Sequence, residues 1–350
     1  MAVVTGIGAA LPRSYDQDVL WERGFRAHFR DRGLARRVFA NCGVRSRHAV
    51  VDPTAEGVAG WSTGRRMARY AEEAPPLARA ALRDALAESG LSPADLGLLA
   101  VVSCTGYTTP GLDIGLAADL GLAADARRIV IGHMGCYAAL PGLGAVADFV
   151  DARGLPAALV CVELTSLHVQ PPDDDPEQVV AHALFGDAAA AVVVAPSASV
   201  APVTPAVPGW EVLDVAAHTE PDAAAMMTWR ITDHGFRMGL SARVPDVLAA
   251  TVRPVVDKLL ARHGAVIEDV AGWAVHPGGP RILDTVGTGL GLPERALAAS
   301  RAVLAERGNC SSATVVLVLR ELDVRPEDLA VAMAFGPGLT LYTTLLRRTA

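Results

Sequence analysis

The chain has 350 residues, of which 51% are hydrophobic and 20% are charged. This balance is typical of a globular protein with a sizeable core and excludes a disordered or fibrous chain. The net charge is −7 and Lys258 is the only lysine, so no basic block is present that could follow a nucleic-acid backbone or an anionic membrane. We therefore expect neither nucleic acid nor membrane as a partner.

The amino terminus and the cysteines indicate the compartment. Residues 1–8 lack a basic leader and run directly into an apolar, strand-like pattern, which argues against a signal peptide. Apolar runs such as residues 313–319 are far shorter than the ~20 residues of a membrane span. The five cysteines are scattered without C-x-x-C spacing, which disfavours disulfides and structural zinc. We expect a cytoplasmic protein that holds no metal and no cofactor.

The predicted elements occur as two similar series. The first series contains, in chain order, an alanine-rich helix over residues 76–88, an apolar strand over 98–102, a helix over 137–150 and a strand over 189–194. The second contains a helix over residues 248–262, a strand over 271–275, a helix over 310–322 and a strand over 339–345. A Phe-Gly turn precedes the last strand of each series, at Phe185-Gly186 and at Phe335-Gly336.

This repetition predicts two duplicated α/β halves, residues 1–200 and 201–350, with their boundary in the proline-rich segment 196–208. Strands that are apolar throughout and alternate with helices indicate mainly parallel sheets covered by helices on both faces. Chance similarity between alanine-rich segments stays open as the alternative.

Three residues carry the candidate chemistry. Cys136 follows a glycine and heads a helix, where unpaired N–H groups and the helix dipole favour a thiolate. His276 follows the strand over residues 271–275 and can accept a proton, while Asn309 opens the helix over 310–322 and can donate to an oxyanion. Because the carboxyl ends of strands share one edge of a sheet, the three side chains can meet there. Taken singly, Cys136 is also compatible with a core thiol, His276 with a hydrogen-bonded turn residue and Asn309 with a helix cap.

Five motifs follow one another along the chain: Gly135-Cys136-Tyr137-Ala138, Ala183-Leu184-Phe185-Gly186-Asp187, Trp273-Ala274-Val275-His276-Pro277-Gly278-Gly279-Pro280, Gly308-Asn309-Cys310-Ser311-Ser312-Ala313 and Phe335-Gly336-Pro337-Gly338-Leu339-Thr340. In this order they resemble the motifs of type III polyketide synthases such as chalcone synthase. The resemblance implies a thiolase-like fold with αβαβα layers, a homodimer, and acyl-CoA and malonyl-CoA as substrates. By it, Cys136 carries the acyl chain, and His276 and Asn309 hold the thioester carbonyl as malonyl-CoA loses CO2. His276 would also keep the thiol ionised.

The resemblance also assigns a cavity. Phe185 matches the first gate residue, and Met238 stands where the second gate residue is usually phenylalanine. The other positions that shape product length and cyclisation are Cys104, Thr105, Thr165, His168, Trp229 and Ser311. Trp229 is large where chalcone synthase has glycine, which disfavours a chalcone product. Thr109 lies in the loop that would reach the partner subunit's cavity.

For coenzyme A, the resemblance points to a basic helix and to the Gly278-Gly279 backbone beside the pantetheine arm. Arg37 keeps the register of that helix, and supporting arginines are Arg36, Arg45 and Arg47. Cys136 lacks the Gly-Gly pair that follows the nucleophile in plant enzymes. Bacterial members that make alkylresorcinols, alkylpyrones or tetrahydroxynaphthalene are more similar, and an aliphatic acyl starter is favoured.

Three other functions stay open at this point. A ketoacyl synthase of the third kind would use acyl carrier protein and stop after one condensation. A thiol-dependent acyl hydrolase would release CoA without forming a carbon–carbon bond, and a silent scaffold would only bind. The sequence fixes neither the starter, nor malonyl against methylmalonyl as extender, nor the number of extensions or the mode of ring closure.

Overall fold

The computed structural model describes residues 1–197 and 209–349. Its strands are β1 (Ala2–Ala10), β2 (Arg13–Asp16), β3 (Ser46–Ala49), β4 (Leu98–Ser103), β5 (Arg127–Gly132), β6 (Ala157–Glu163), β7 (Ala188–Pro196), β8 (Trp210–Thr219), β9 (Met227–Thr232), β10 (Gly235–Leu240), β11 (Val270–Val275), β12 (Leu329–Gly336) and β13 (Thr340–Arg348). Its α-helices are α1 (Gln17–Leu20), α2 (Arg26–His28), α3 (Gly33–Asn41), α4 (Thr63–Ser89), α5 (Leu112–Leu120), α6 (Ala139–Arg153), α7 (Pro176–Leu184), α8 (Val244–Ala261), α9 (Pro280–Leu290), α10 (Ala298–Arg307) and α11 (Ala313–Arg320).

Nine of the described strands form one sheet, in the order β11-β12-β13-β8-β1-β7-β6-β4-β5. On one side of the β1–β8 pair the order is β1-β7-β6-β4, and on the other side it is β8-β13-β12-β11. In both series the first two pairings are antiparallel and the third is parallel. This topology agrees with two related halves. The boundary that the sequence analysis puts between residues 200 and 201 lies outside the described residues, so the domain limits stay a prediction.

The sheet is mixed, and the prediction of mainly parallel pairing is wrong. Parallel pairs join β4 to β5, β4 to β6 and β11 to β12, whereas the other pairs of the large sheet are antiparallel. Strand β13 returns from β12 through a short turn, which permits only an antiparallel neighbour. The apolar runs indicated that both faces of the strands are buried, but burial does not determine whether neighbouring strands are parallel or antiparallel.

Helices cover and separate the strands in layers. Apolar residues of α6 and α11 pack in one cluster with strands of both halves. Helix α4 packs on the first-half strands β4, β6 and β7, while α8 and α9 pack on β11, β12 and β13 of the second half. The arrangement is the layered αβαβα architecture expected from the sequence.

Helix α4 is longer than predicted and lies directly on β1. The Ser62 side chain accepts a hydrogen bond from the Arg65 N–H and starts the helix, and Gly90 ends it in the left-handed conformation. The backbones approach closely because Gly8 has no side chain: a Cβ there would lie 2.0 Å from the Ala81 carbonyl oxygen. Buried alanines follow Pro75 and Pro76, and this packing overrides the helix-breaking tendency of proline.

Two small antiparallel ribbons lie outside the large sheet. Strand β2 pairs with β3 near the amino terminus, and β9 pairs with β10 in a hairpin that the sequence analysis did not anticipate. Among the residues that the structure describes, no helix is both long and apolar enough to cross a membrane.

Candidate active site

Cys136 lies in a 3₁₀ turn, Gly135–Tyr137, just ahead of α6. Gly135 has a φ of +76°, and a Cβ at this position would lie 2.6 Å from the Pro337 ring. The turn therefore requires glycine, both for its backbone conformation and for close contact with the Phe335-Gly336 turn of the other half. Cys136 is buried and sits before the first turn of the helix, as the sequence predicted.

His276 and Asn309 come from the second half. His276 directly follows β11, and its N–H donates to the Met333 carbonyl over 2.7 Å. Asn309 lies between α10 and α11, and its N–H donates to the Leu184 carbonyl over 2.8 Å. Backbone hydrogen bonds thus hold both residues in place and leave their side chains available.

The three side chains line one cavity of about 440 Å³. Both ring nitrogens of His276 are buried without a hydrogen-bond partner among the described residues, so they are free to contact a ligand. The Asn309 Oδ1 accepts from the Ser311 N–H over 2.9 Å, which identifies Oδ1 as the acceptor and leaves the Nδ2 group as a donor. The arrangement supplies a nucleophile, a proton acceptor and an amide donor to one space.

Burial disfavours a charge on either the thiol or the imidazole. Desolvation raises the pKa of Cys136 to about 12; a hydrogen bond from Ser311 works against this rise and the Glu163 carboxylate adds to it. Desolvation lowers the pKa of His276 to about 3. The site thus favours a neutral thiol and a neutral imidazole, whereas the helix position had indicated a thiolate. A neutral His276 is the form that can accept the thiol proton.

Cys136 also lines a second, much smaller cavity of about 20 Å³. Cys136, Phe185 and Met238 line both cavities, so the two predicted gate residues lie at their junction. The predicted cavity residues that line the small space are Cys104, Thr105, Thr165, Trp229 and Ser311. This volume has room for about one water molecule.

Trp229 fills much of the space next to Cys136. Its Nε1 donates to the Cys104 carbonyl over 2.7 Å, and its ring lies 6.5 Å from that of Phe185. His168 packs edge-on against it at 5.5 Å but lines a neighbouring cavity of about 50 Å³. The His168 Nδ1 accepts from the Phe236 N–H, so its Nε2 carries the proton and donates to the Thr105 carbonyl.

A buried carboxyl group, Glu163, links the walls of the small cavity. It accepts hydrogen bonds from the Thr105 hydroxyl and the Cys104 N–H at 2.8 and 3.0 Å, and from the Ser312 hydroxyl at 2.5 Å. The Cys104 thiol lies 3.3 Å from the Ser311 hydroxyl. Desolvation raises the pKa of Glu163 to about 7. Glu163 was not among the residues predicted from the sequence, although a carboxylate at the end of an otherwise apolar strand is a recognisable signal.

Thr165 lines the small cavity, but its hydroxyl lies 2.8 Å from the Gly186 carbonyl and donates to the backbone. Thr109 is exposed on the loop before α5, and its predicted role involves a second subunit.

Part of the predicted coenzyme A set lines the large cavity. Arg37, Gly278 and Gly279 line it, and so does Arg281, which the sequence analysis did not name. Arg36 lies outside this lining, on the exposed surface of α3. Arg47 is only 6% exposed and donates to the Phe185 carbonyl, so the interpretation of Arg47 as a phosphate contact is wrong.

These features define a class: a layered, thiolase-like α/β protein in which both halves contribute to one cysteine-containing cavity. The sequence matches the chalcone and stilbene synthases, N-terminal domain over residues 52–198 and C-terminal domain over residues 212–350. It is 38% identical to a 1,3,6,8-tetrahydroxynaphthalene synthase of Streptomyces peucetius, covering 91% of this chain and 84% of that protein. It is 34% identical to the alpha-pyrone synthesis protein Pks18 of Mycobacterium tuberculosis, covering 79% and 71%.

Solved structures agree with this assignment. The 1,3,6,8-tetrahydroxynaphthalene synthase of Streptomyces coelicolor, a bacterial type III polyketide synthase, aligns with a TM-score of 0.91 and 29% identity over 100% of both chains. PKS-I of the brown alga Ectocarpus siliculosus aligns with a TM-score of 0.90 and 30% identity over 99% of this chain and 98% of that one. The chain belongs to the chalcone and stilbene synthase family and is a type III polyketide synthase, an acyltransferase that condenses coenzyme A thioesters. The predicted family, fold and enzyme class are confirmed.

Proposed function

We propose that Cys136, His276 and Asn309 form the catalytic centre of this polyketide synthase. The observation that carries the proposal is their common position on the 440 Å³ cavity, with Cys136 also facing the inner space. Two other thiols line these spaces, Cys42 only the large cavity and Cys104 only the small one, so Cys136 is the thiol that is common to both.

In the loading step, the Cys136 thiol gives its proton to His276, and the sulfur attacks the carbonyl carbon of the acyl-CoA. The bond between that carbon and the CoA sulfur breaks, and the CoA thiolate takes the proton back from His276. The acyl group remains bound to Cys136 as a thioester, which exchanges one C–S bond for another and keeps the group reactive.

In the extension step, malonyl-CoA occupies the same cavity. Its carboxylate leaves as CO2, and the electron pair of the broken C–C bond forms an enolate of the thioester. The Asn309 Nδ2 group and the His276 ring donate hydrogen bonds to the enolate oxygen. The enolate carbon attacks the Cys136 thioester, forms a C–C bond and releases the thiolate.

The small inner cavity supports a proposal about the product. A space of about 20 Å³ is smaller than one added ketide unit, so the growing chain has little room inward while Trp229 keeps its position. We propose few extensions from an aliphatic acyl starter, whose chain uses the apolar part of the large cavity. The residues that supply this apolar wall include Met227, Leu240, Val244 and Leu248. Closure to a pyrone or resorcinol ring follows.

Purified protein incubated with acyl-CoA and malonyl-CoA alone tests the proposal. We expect triketide or slightly longer pyrones or resorcinols, detected by liquid chromatography and mass spectrometry. Strict dependence on acyl carrier protein would instead favour a ketoacyl synthase, and free CoA without a new carbon–carbon bond would favour a hydrolase. A panel of starters of increasing chain length identifies the preferred acyl group.

We also propose that two copies form a homodimer. Strand β5 is the edge of the large sheet, and its Val130 is 59% exposed; on a nearby loop Tyr107 is 65% exposed. An exposed apolar edge strand is typical of an interface, and Thr109 lies on the same exposed loop as Tyr107. Sedimentation equilibrium measures the mass in solution: twice the chain mass supports the dimer, and a monomer at micromolar concentration contradicts it. The cytoplasmic location stays a prediction.

A further inference from the structure

Arg47 is an arginine in an unusual place. It is only 6% exposed, and its guanidinium lies over the rings of Phe25 and Phe39, 5.3 and 5.9 Å from their centroids. Burial lowers its pKa to about 10, which leaves it charged at neutral pH. Burying a charge costs free energy unless the charged group donates strong hydrogen bonds. The hydrogen bonds of the Arg47 guanidinium therefore indicate what this residue does.

The Arg47 guanidinium donates to the backbone of a gate residue. Its Nη1 lies 2.8 Å from the Phe185 carbonyl oxygen, and its Nε and Nη2 have no hydrogen-bond partner within the described parts of the chain. Phe185 directly follows α7, and carbonyl groups at a helix end no longer find partners inside the helix. The arginine therefore supplies the donor that the helix cannot supply.

The same stretch of backbone is bonded to Asn309. The Asn309 N–H donates to the Leu184 carbonyl over 2.8 Å, and the Gly186 N–H donates to the Asn309 carbonyl over 3.0 Å. These two bonds form a single parallel bridge around Phe185. The hydrogen bond from Arg47 orients the peptide group between Phe185 and Gly186, and the N–H of this group is bonded to Asn309. The same bond therefore also holds the backbone that carries the Asn309 side chain.

The β3 segment touches both turns. The Asp187 N–H donates to the His48 carbonyl over 2.9 Å, and the Ser46 hydroxyl donates to the Glu306 carbonyl over 2.8 Å. A Cβ at Gly186 or at Gly308 would lie 3.2 or 3.3 Å from the Arg47 Cβ. Arg47 thus lies between the turn that carries the gate and the turn that carries the amide.

We infer that Arg47 is a positioning residue that aligns the Asn309 amide and the Phe185 gate for the extension step. The inference rests on the proposed function of Asn309. Arg47 lies on the β2–β3 ribbon, remote in sequence from both turns, and would act on the reaction only by aligning the oxyanion donor.

The test measures the two half-reactions separately in an Arg47→Met enzyme. Loading is followed by the mass of the acyl-enzyme, and extension by the rate of CO2 release from malonyl-CoA. Because a displacement of about 1 Å at a reacting group costs about 10²-fold in rate, we expect extension to fall by about 10²-fold and loading to stay close to wild type. Arg47→Lys keeps a cationic donor and should restore most of the extension rate.

The matched control is Arg13→Met, which removes an exposed arginine from the neighbouring strand β2 and should leave both rates unchanged. If loading and extension fall equally in Arg47→Met, and in proportion to the loss of folded protein, then Arg47 contributes to stability alone and the inference is overturned. If Arg47→Met does not fold, Arg47→Gln decides, because its shorter, uncharged side chain loses the guanidinium that donates to the Phe185 carbonyl. An extension rate reduced more than loading then supports positioning, and equal reductions of the two rates contradict it. Failure of the wild-type enzyme to release CO2 would instead refute the proposed function.

Discussion

Replacing Trp229 by glycine should give longer or differently cyclised products. The indole contacts the walls of a cavity of about 20 Å³, which has room for about one water molecule. Removing the ring opens a space next to Cys136 that a growing polyketide can enter. Phe185 and Met238 keep their places at the junction of the two cavities, so loading should be retained.

The substitution also has a measurable effect on stability. It removes the hydrogen bond from Trp229 Nε1 to the Cys104 carbonyl, 2.7 Å long and worth about 1 kcal/mol. Truncating a fully buried aromatic residue costs about 3–5 kcal/mol, and Trp229 is partly exposed. We therefore expect the free energy of unfolding to fall by roughly 2–4 kcal/mol, which a stable enzyme tolerates.

The assay is mass spectrometry of products made from one acyl-CoA starter and malonyl-CoA. Trp229→Phe is the control, because it keeps a ring in the cavity but loses the N–H donor. If space decides the product, Trp229→Phe gives the wild-type profile and Trp229→Gly does not. An active Trp229→Gly enzyme with an unchanged product profile would refute the reasoning and remove Trp229 from the determinants of chain length.

Two further substitutions test the electrostatics of the site. Asn309→Ala should lower malonyl-CoA decarboxylation by about 10²–10³-fold, the usual effect of losing one oxyanion donor, and should affect acyl loading less; equal losses, measured as CO2 release and acyl-enzyme mass, would contradict its role. Glu163 has a pKa raised by burial from 4.5 to about 7, so the folded chain keeps a proton that the unfolded chain releases, and stability falls as the pH rises from 4.5 through 7. The Glu163→Gln side chain cannot ionise, so between pH 5 and pH 8 this variant should lose less free energy of unfolding than the wild-type protein, with a difference of up to roughly 3 kcal/mol. Denaturant unfolding curves measure this difference. The same pH dependence in both proteins would show that Glu163 is not held protonated.

Much of the fold and the centre of the site could be predicted from the sequence. The apolar strands, the two Phe-Gly turns and the repeated order of elements indicated two related halves. The rule that strand ends share one edge brought Cys136, His276 and Asn309 together, and the structure places all three on one cavity. Local patterns sufficed here because each residue lies directly after a strand or before a helix.

Other features depend on contacts that no local pattern records. The direction of β13 is set by the turn that follows β12, and apolar composition is the same for both directions. Arg47 was predicted to support coenzyme A binding, because its burial is produced by Phe25 and Phe39, which approach it only in the folded chain. The thiol of Cys136 heads a helix as predicted, yet desolvation, which the sequence does not report, favours its neutral form.

The central claim is that Cys136 carries the acyl chain. Intact-protein mass spectrometry after mixing the enzyme with an acyl-CoA should show one added acyl group per chain, and peptide mapping should locate it on Cys136. The folded Cys136→Ala protein should gain no mass, and malonyl-CoA should then extend the adduct of the wild-type enzyme. An acyl group found on Cys104 or elsewhere, or a Cys136→Ala enzyme that still forms product, would contradict the account.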